Sequence, residues 1–514
     1  MPVVNPPMNY FLAALPILLV LGLMIFLNWN GQRAGAAGWA AGLIVAALAF
    51  GLNVPVLWVS QVKGLFLSFF VLAILWPALL LYKLVDQTGG IQAIARALES
   101  WVGERGLLLL LLAWAFSGLL EGLAGFGLPI AIVAPMLVGL GVPAVQAVAA
   151  VAVGHVWAVT FGDMSVVFQT LMAVTGLPQA ALAPLSGVFL GAACLLCGLA
   201  CAAILGLKRS FPVVITAGVL MAVVQYAVAI TPLVPLAVLA AGLVGILAIV
   251  AWARLIRRRS SVETEQISQQ EVSRPALWAG LGSYGLLTVL MCVVFLVPSI
   301  SEAFKKVVWQ MQFPQVITGA GFITPAGGGQ ALRLLIHPGF YLLVTCVVSG
   351  WFLHQKGLLN GAQIRQALRG TAQSSLPVSV GILFMIGLSA LMEHTGMTLL
   401  LAEGLSRGLG SLFPLISPLV GVLGAFATGS NNNSNVLFAP LQQNAALLLN
   451  IDPRILLSAQ TTGGALGSMI APAKILVGCS TAGILGKAGQ VLRTTLPYCL
   501  ALCVLLGLLA WVLA

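Results

Sequence analysis

Carboxylates are scarce in this chain. It holds 12 Asp and Glu against 23 Lys and Arg in 514 residues, so 7% of its side chains are charged, where a soluble domain carries about 25%. With 60% of residues apolar, no water-facing surface can be assembled, and cytosolic enzymes, nucleic-acid binders and disordered scaffolds are excluded. Histidine is rarer still, at 4 residues, and neither His354 nor His394 has a Cys or His at ligand spacing. Nothing in that pattern supports metal ligation or nucleophilic catalysis, and no cofactor is called for. The 8 cysteines lie in apolar stretches. Cys194, Cys197 and Cys201 recur at helical spacing and read as small packing residues rather than a disulfide or metal framework. The formal net charge of +11 then reads as the Lys/Arg bias of cytoplasmic loops.

What the chain has is apolar length: 15 apolar runs between positions 10 and 513. At about 20 residues per span, there is room for roughly 12 to 14 spans and for no large soluble domain. This predicts an all-α polytopic membrane protein with about 12 transmembrane helices. The first run, Tyr10 to Leu27, has no Lys or Arg before it and reads as a membrane helix rather than a cleavable signal. Arg33, Lys83, Arg96, Arg105, Lys208, Arg209, Arg254, Arg257, Arg258, Arg259, Lys356, Arg365 and Arg369 mark the loops between runs. Placed inside by the positive-inside rule, they put both termini outside. The polar segment 254–275 reads as a cytoplasmic basic linker between a first transmembrane half, 1–253, and a second, 276–514. Its arginines suit anionic headgroups. Ser299 to Arg333, with Pro314, Pro325 and Gly327 to Gly329, reads as an outside loop with short helices.

A two-half plan invites a search for an internal repeat. Ala134-Pro135, Val142-Pro143, Gly154 and Gly162-Asp163 are answered by Ala439-Pro440, Asp452-Pro453, Gly464 and Pro472-Ala473. The offset is 305 residues at the first pair and 310 from the second onward. Two inverted-repeat-like halves follow, each with a re-entrant hairpin or broken helix.

The first break is Glu121-Gly-Leu-Ala-Gly125-Phe-Gly127-Leu-Pro129. An apolar run precedes it, so Glu121 lies at membrane depth. A carboxylate there is costly to keep ionised, which suits a residue that takes up and releases a proton. The glycines and the proline free backbone N–H groups, which membrane depth tolerates only against protein or a polar cavity. Alternatively, Glu121 serves only to accept hydrogen bonds from that turn. The second break is Thr428-Gly-Ser430-Asn431-Asn-Asn433-Ser434-Asn435, whose amides and hydroxyls offer donors and acceptors to a carboxylate, a hydroxyl or a small cation. A helix N-terminus at that point adds attraction for an anion.

Gln460-Thr461-Thr462-Gly-Gly464 interrupts the run from Ile455, and Lys474 is the only cation between Ile455 and Leu485. Facing a cavity, Lys474 would neutralise a substrate carboxylate; facing a helix end, it would snorkel to headgroups. His155 and Asp163 stand two helical turns apart, on one face if the helix is continuous. They read either as a proton relay or as a packed histidine beside an unrelated carboxylate.

The Glu121 to Ile132 run, Val159-Thr-Phe161-Gly162, Thr428-Gly-Ser430 with Ser434-Asn435, and Thr461-Thr-Gly-Gly464 with Met469-Ile-Ala-Pro472 together resemble the L-lactate permease family, bacterial inner-membrane symporters of lactate and glycolate. The likeness spans both halves in the same order. It implies proton-coupled uptake of a short 2-hydroxymonocarboxylate by alternating access, with the two breaks as re-entrant hairpins whose tips meet the substrate. On this reading Gly125, Gly127, Thr428, Ser430, Asn431, Asn433, Ser434, Gln460, Thr461, Thr462 and Lys474 line the substrate site, and Glu121, His155 and Asp163 serve proton coupling. Asn431 replaces an acidic residue of the family pattern, His155-Val156 an Asn-Thr pair, and Lys474 an uncharged polar residue. The partners implied are a small organic anion, a coupling proton with sodium as the alternative, and the lipid bilayer.

Overall fold

The structure, a computed structural model, describes residues 6–27, 29–102, 104–123, 125, 127–259 and 273–514. Residues 260–272 of the basic linker, with Ala124 and Phe126 of the first break, lie outside the described residues. Among the described residues, 10 helices are long and apolar enough to cross a membrane, or 11 if one pair bent by 41° is a single span. The burial is inverted relative to a soluble protein. Leu247, Trp278, Trp351 and Val512 face outward, while Glu121, Asp163, Gln442, Gln460 and Asn435 are buried, as expected where the solvent is hydrocarbon.

The order and lengths of the elements repeat. Val54–Gln87 (34 residues) and Gly90–Val102 (13 residues) are matched by Gly361–His394 (34 residues) and Met397–Leu409 (13 residues). A hairpin follows each pair: Arg105–Leu123 with Leu128–Gly139, and Phe413–Thr428 with Asn431–Leu448. A broken helix comes next, Ala144–Gly154 with Val166–Thr175 and Pro453–Gly467 with Pro472–Thr481. Each set ends on a 26-residue helix, Gln179–Ile204 or Ala488–Leu513. The apolar sequence 128–153 forms two helices rather than one, because Gly141 (φ +82°) and Pro143 turn the chain between them.

The hairpins open at opposite ends of Gln179–Ile204. At the base of the first, Arg105 Nη2 donates to Leu140 O at 2.7 Å, and Gln146 donates to Ile204 O. At the base of the second, Gln443 donates to Thr175 O at 3.1 Å, beside Gln179. Each broken helix also leans on the other half. Pro472–Thr481 packs Gly478 on Ile130 of the first hairpin, and Val166–Thr175 offers Val167 O to Asn435 of the second. Each half therefore holds the other's hairpin in place.

Between Leu296 and Pro338 the chain forms a short helix, Pro298–Lys305, and two small antiparallel ribbons, Gln312–Phe313 with Gly327–Gly328 and Val316–Ile317 with Ile323–Thr324. This corrects the expectation of short helices alone. Pro314, Pro325 and the glycines favour turns, and the β-branched residues between them pair across.

Candidate functional site

Both hairpin tips turn on a glycine in the left-handed region, Gly127 (φ +79°) and Gly429 (φ +70°), a conformation that costs a side chain with a Cβ. Both tips press on the same short segment. A Cβ on Gly127 would stand 3.6 Å from Lys474 Cγ, and one on Gly429 would stand 3.6 Å from Ala473 Cβ. The N-termini of three helices, Leu128–Gly139, Asn431–Leu448 and Pro472–Thr481, therefore converge, and their unpaired N–H groups create a region of positive potential.

Lys474 is 9% exposed, Glu121 3% and Asp163 6%, so none reaches lipid headgroups. Lys474 lies within electrostatic reach of Glu121, Asp163 and His155. Lys474 is thus buried inside the protein rather than extended to its surface. Among the described residues the close ion pairs are Glu302–Lys305 and Asp452–Arg454, so the Lys474 ammonium is not closed on either carboxylate. Gly125 separates the two acids: a Cβ there would stand 3.2 Å from Glu121 Oε1 and 3.4 Å from Asp163 Cβ. Gly162 meets the Glu121 backbone, with a Cβ there only 2.8 Å from its carbonyl oxygen. The glycines at 125 and 162 thus let two carboxylates from separate breaks approach each other.

His155 and Asp163 do not share a helical face. The helix ends at Gly154, and Asp163, Met164 and Ser165 all adopt left-handed backbone (φ +48°, +53° and +60°). Three consecutive residues other than glycine in that region store strain, a feature that concentrates at functional sites. His155 is fully buried, its Nδ1 donating to Val151 O at 2.8 Å. Its Nε2, Glu121 Oε2 and Asp163 Oδ1 have no protein partner. Buried polar atoms are nearly always satisfied in folded proteins, and these three are exceptions.

The second break divides into two functions. Thr428 donates to Gly424 O at 2.7 Å and accepts from Ser430 N, and Ser430 caps the next helix by accepting from Asn433 N at 3.4 Å. Asn431 donates to Thr160 Oγ1 at 3.2 Å and to Thr461 O at 2.9 Å, and Asn435 donates to Thr461 Oγ1 at 2.9 Å. Gln460 donates to Ser434 Oγ at 3.0 Å and accepts from Gln442 at 2.6 Å, and Gln442 also bonds Ser417. These side chains form a buried polar seam that ties the hairpin to both broken helices. Asn431 Oδ1, Asn433 Oδ1, Asn435 Oδ1 and Thr462 Oγ1 remain without a protein partner.

Three members of the seam, Thr160, Gln442 and Ser417, escaped the sequence reading. A signal for Gln442 was there: it follows Ser434 by eight residues, two helical turns on the same face.

The sequence pattern of the L-lactate permease family matches residues 9–514. Similar proteins include the glycolate permease GlcA of Escherichia coli strain K12, 26% identical over 99% of this chain and 96% of that protein. The L-lactate permease of Bacillus subtilis strain 168 is 28% identical over 97% of this chain and 94% of that one. In fold, the chain is similar to the MtrF structure of Neisseria gonorrhoeae (TM-score 0.51, 15% identity, 96% of this chain and 97% of that one). It is also similar to the YdaH transporter of Alcanivorax borkumensis (TM-score 0.50, 16% identity, 89% and 86%). A match that runs through both hairpins and both broken helices places this chain in the L-lactate permease family.

Proposed function

We propose that this protein is a secondary transporter that imports a short 2-hydroxymonocarboxylate, lactate or glycolate, by symport with a proton across a bacterial inner membrane. The observation that carries this reading is the meeting of Lys474 with two buried carboxylates where three helix N-termini converge. One lysine and the helix ends match one carboxylate of substrate, and the partnerless oxygens at Asn433 and Thr462 match its hydroxyl. A dicarboxylate would need a second cationic group. Proton coupling rests on Glu121, with Asp163 beside it: a buried acid carries a proton across low dielectric at less cost than a fixed charge. His155 supplies a third titratable group in reach of Lys474.

The loop charges give the orientation. Arg105 sits at the base of the first hairpin, Lys208 and Arg209 follow Ile204 beside it, and Lys83, Arg365 and Arg369 line one pocket; the positive-inside rule makes such clusters cytoplasmic. The second hairpin then opens outward, and both termini lie outside.

Sodium coupling is the second reading, favoured by the partnerless oxygens of Asn431, Asn435 and Thr462, since such atoms can coordinate a small cation without a carboxylate. Uptake of labelled lactate into proteoliposomes under separately imposed pH and sodium gradients decides between the two. Accumulation driven by pH in sodium-free buffer is expected. Accumulation that requires sodium overturns the proton reading, and succinate uptake without lactate uptake overturns the substrate.

A further inference from the structure

At the outer end of the molecule, away from the hairpin tips, lies a cleft of about 850 Å³. Its walls come from Val54–Gln87, the end of Gly361–His394, the second piece of the first broken helix and the outward arm of the second hairpin, and the ribbons of the outer loop roof it. Its inner end reaches Gln169 and Val436. Val436 follows Asn435, which donates to Val167 O, so the cleft ends one residue short of the buried polar seam.

Lys63 stands in this cleft in an unusual setting. Its ammonium lies 3.2 Å from His394 Nε2 and 5.4 Å from the centre of the Phe313 ring. His394 Nδ1 lies 2.8 Å from Ala390 O and donates to it, which leaves Nε2 as the acceptor for Lys63. Glu393 faces Lys63 but makes no close ion pair with it. The groups that touch the ammonium are neutral, a ring nitrogen and an aromatic face, with Glu393 facing it at longer range, so donor capacity is left for a ligand. Arg333 and Lys305 add positive charge to the same wall, Lys305 already paired with Glu302 at 2.7 Å. Lys63, Lys305 and Arg333 outnumber Glu393, the one carboxylate of the lining among the described residues, and an excess of one sign in a cleft focuses the field and concentrates the opposite ion.

We propose that this cleft is an entry site for the carboxylate anion, received by Lys63 before the substrate reaches the hairpins, with His394 as the positioning residue that aims the ammonium inward. The proposal rests on the transport reading above. It adds a site that acts from one side of the membrane only, whereas the hairpin site serves both.

Two measurements test it. In proteoliposomes sorted by orientation, Lys63→Gln is expected to raise the half-saturating lactate concentration from the cleft side about tenfold through loss of electrostatic steering. The value from the opposite side and the maximal rate should stay as in the wild type, and Lys63→Arg should restore most of the loss. Equal weakening from both sides, or none, overturns the proposal. The second measurement does not depend on transport: a cysteine at Gln169 is labelled with anionic and cationic thiosulfonate reagents. A preference for the anionic reagent of about tenfold or more is expected, and Lys63→Gln should abolish it. Equal labelling by both reagents with Lys63 intact overturns the proposal. A wild type that moves no lactate while its cleft prefers the anionic reagent would instead end the substrate reading and leave the anion site standing.

Discussion

Lys474 belongs to the second half of the chain yet sits against Gly127 at the tip of the first hairpin, its Cγ 3.6 Å from where a Cβ on that glycine would stand. A buried cation is tolerable only with compensating charge, and Glu121 and Asp163 of the first half supply it. The charge of this cluster is thus shared between residues drawn from the two ends of the sequence.

Removing that cation should be damaging in two separable ways. Lys474→Met leaves two buried carboxylates without compensation, and breaking such a set costs about 3–5 kcal/mol. A fall in the thermal unfolding temperature of the purified protein is expected together with loss of uptake. Adding Asp163→Asn should recover stability, because one uncompensated charge is gone, without recovering uptake. If the single variant is stable and transports normally, Lys474 does not touch the substrate.

Under the proposed proton symport, coupling at Glu121 should be separable from binding. Symport of one proton with a monovalent anion is electrically neutral, so the driving force is the pH gradient alone. Glu121→Gln holds the side chain in a shape like the protonated acid. It should abolish pH-driven accumulation while exchange of internal for external substrate persists at a substantial fraction of the wild-type rate. Both activities can be read in one proteoliposome preparation. Continued accumulation by the variant would transfer the proton to Asp163 or His155.

At the second hairpin the two kinds of polar residue should respond differently. Ser430→Ala removes the cap on Asn433 N and should cost about 1 kcal/mol of stability. Asn433→Ala should leave stability nearly unchanged, because its Oδ1 has no protein partner, and should raise the half-saturating substrate concentration about three- to tenfold, the worth of one hydrogen bond accepted from the substrate's neutral hydroxyl. Unfolding temperature and uptake affinity for the two variants, measured side by side, check this. The reverse assignment would make Ser430 the ligand group and Asn433 structural.

Much of this site is legible in the sequence because membrane depth makes polar residues conspicuous. Glu121 among glycines and the run from Thr428 to Asn435 stand out against apolar flanks. What could not be read is anything that depends on where separate helices meet. Lys474 had two open readings until the crossing of Pro472–Thr481 onto the first hairpin placed it inside. Thr160 belongs to the seam because Asn431 and Thr461 converge on it from the other half. The His155 and Asp163 pairing required an intact helix, but the helix ends at Gly154, and Asp163 opens a run of three left-handed residues beyond the gap. Propensity allows aspartate one such residue but does not anticipate a run through Met164 and Ser165.

Gly154 and Gly463, the latter one residue before the Gly464 that answers Gly154 in the sequence repeat, offer a test of the repeated architecture itself. A Cβ on Gly154 would collide with the carbonyl oxygen of Ala113, and a Cβ on Gly463 with that of Pro418. Each glycine lies on the first piece of a broken helix, and each carbonyl lies on the inward arm of the hairpin in the same half. The contact is backbone to backbone, so no side chain can swing away to make room. Gly154→Ala and Gly463→Ala should each destabilise the protein by about 1–3 kcal/mol or more, the cost of overpacking a close interface. Gly282→Ala is the control, since nothing lies within 4 Å of its would-be Cβ, and on a helix such a change is neutral or stabilising by up to about 1 kcal/mol. Thermal unfolding of the three variants in detergent, followed by size-exclusion profile, reads the difference. Loss at 154 and 463 in equal measure is expected of equivalent contacts in two related halves. A large loss at one position with none at the other would mean that the two hairpins are held by different means.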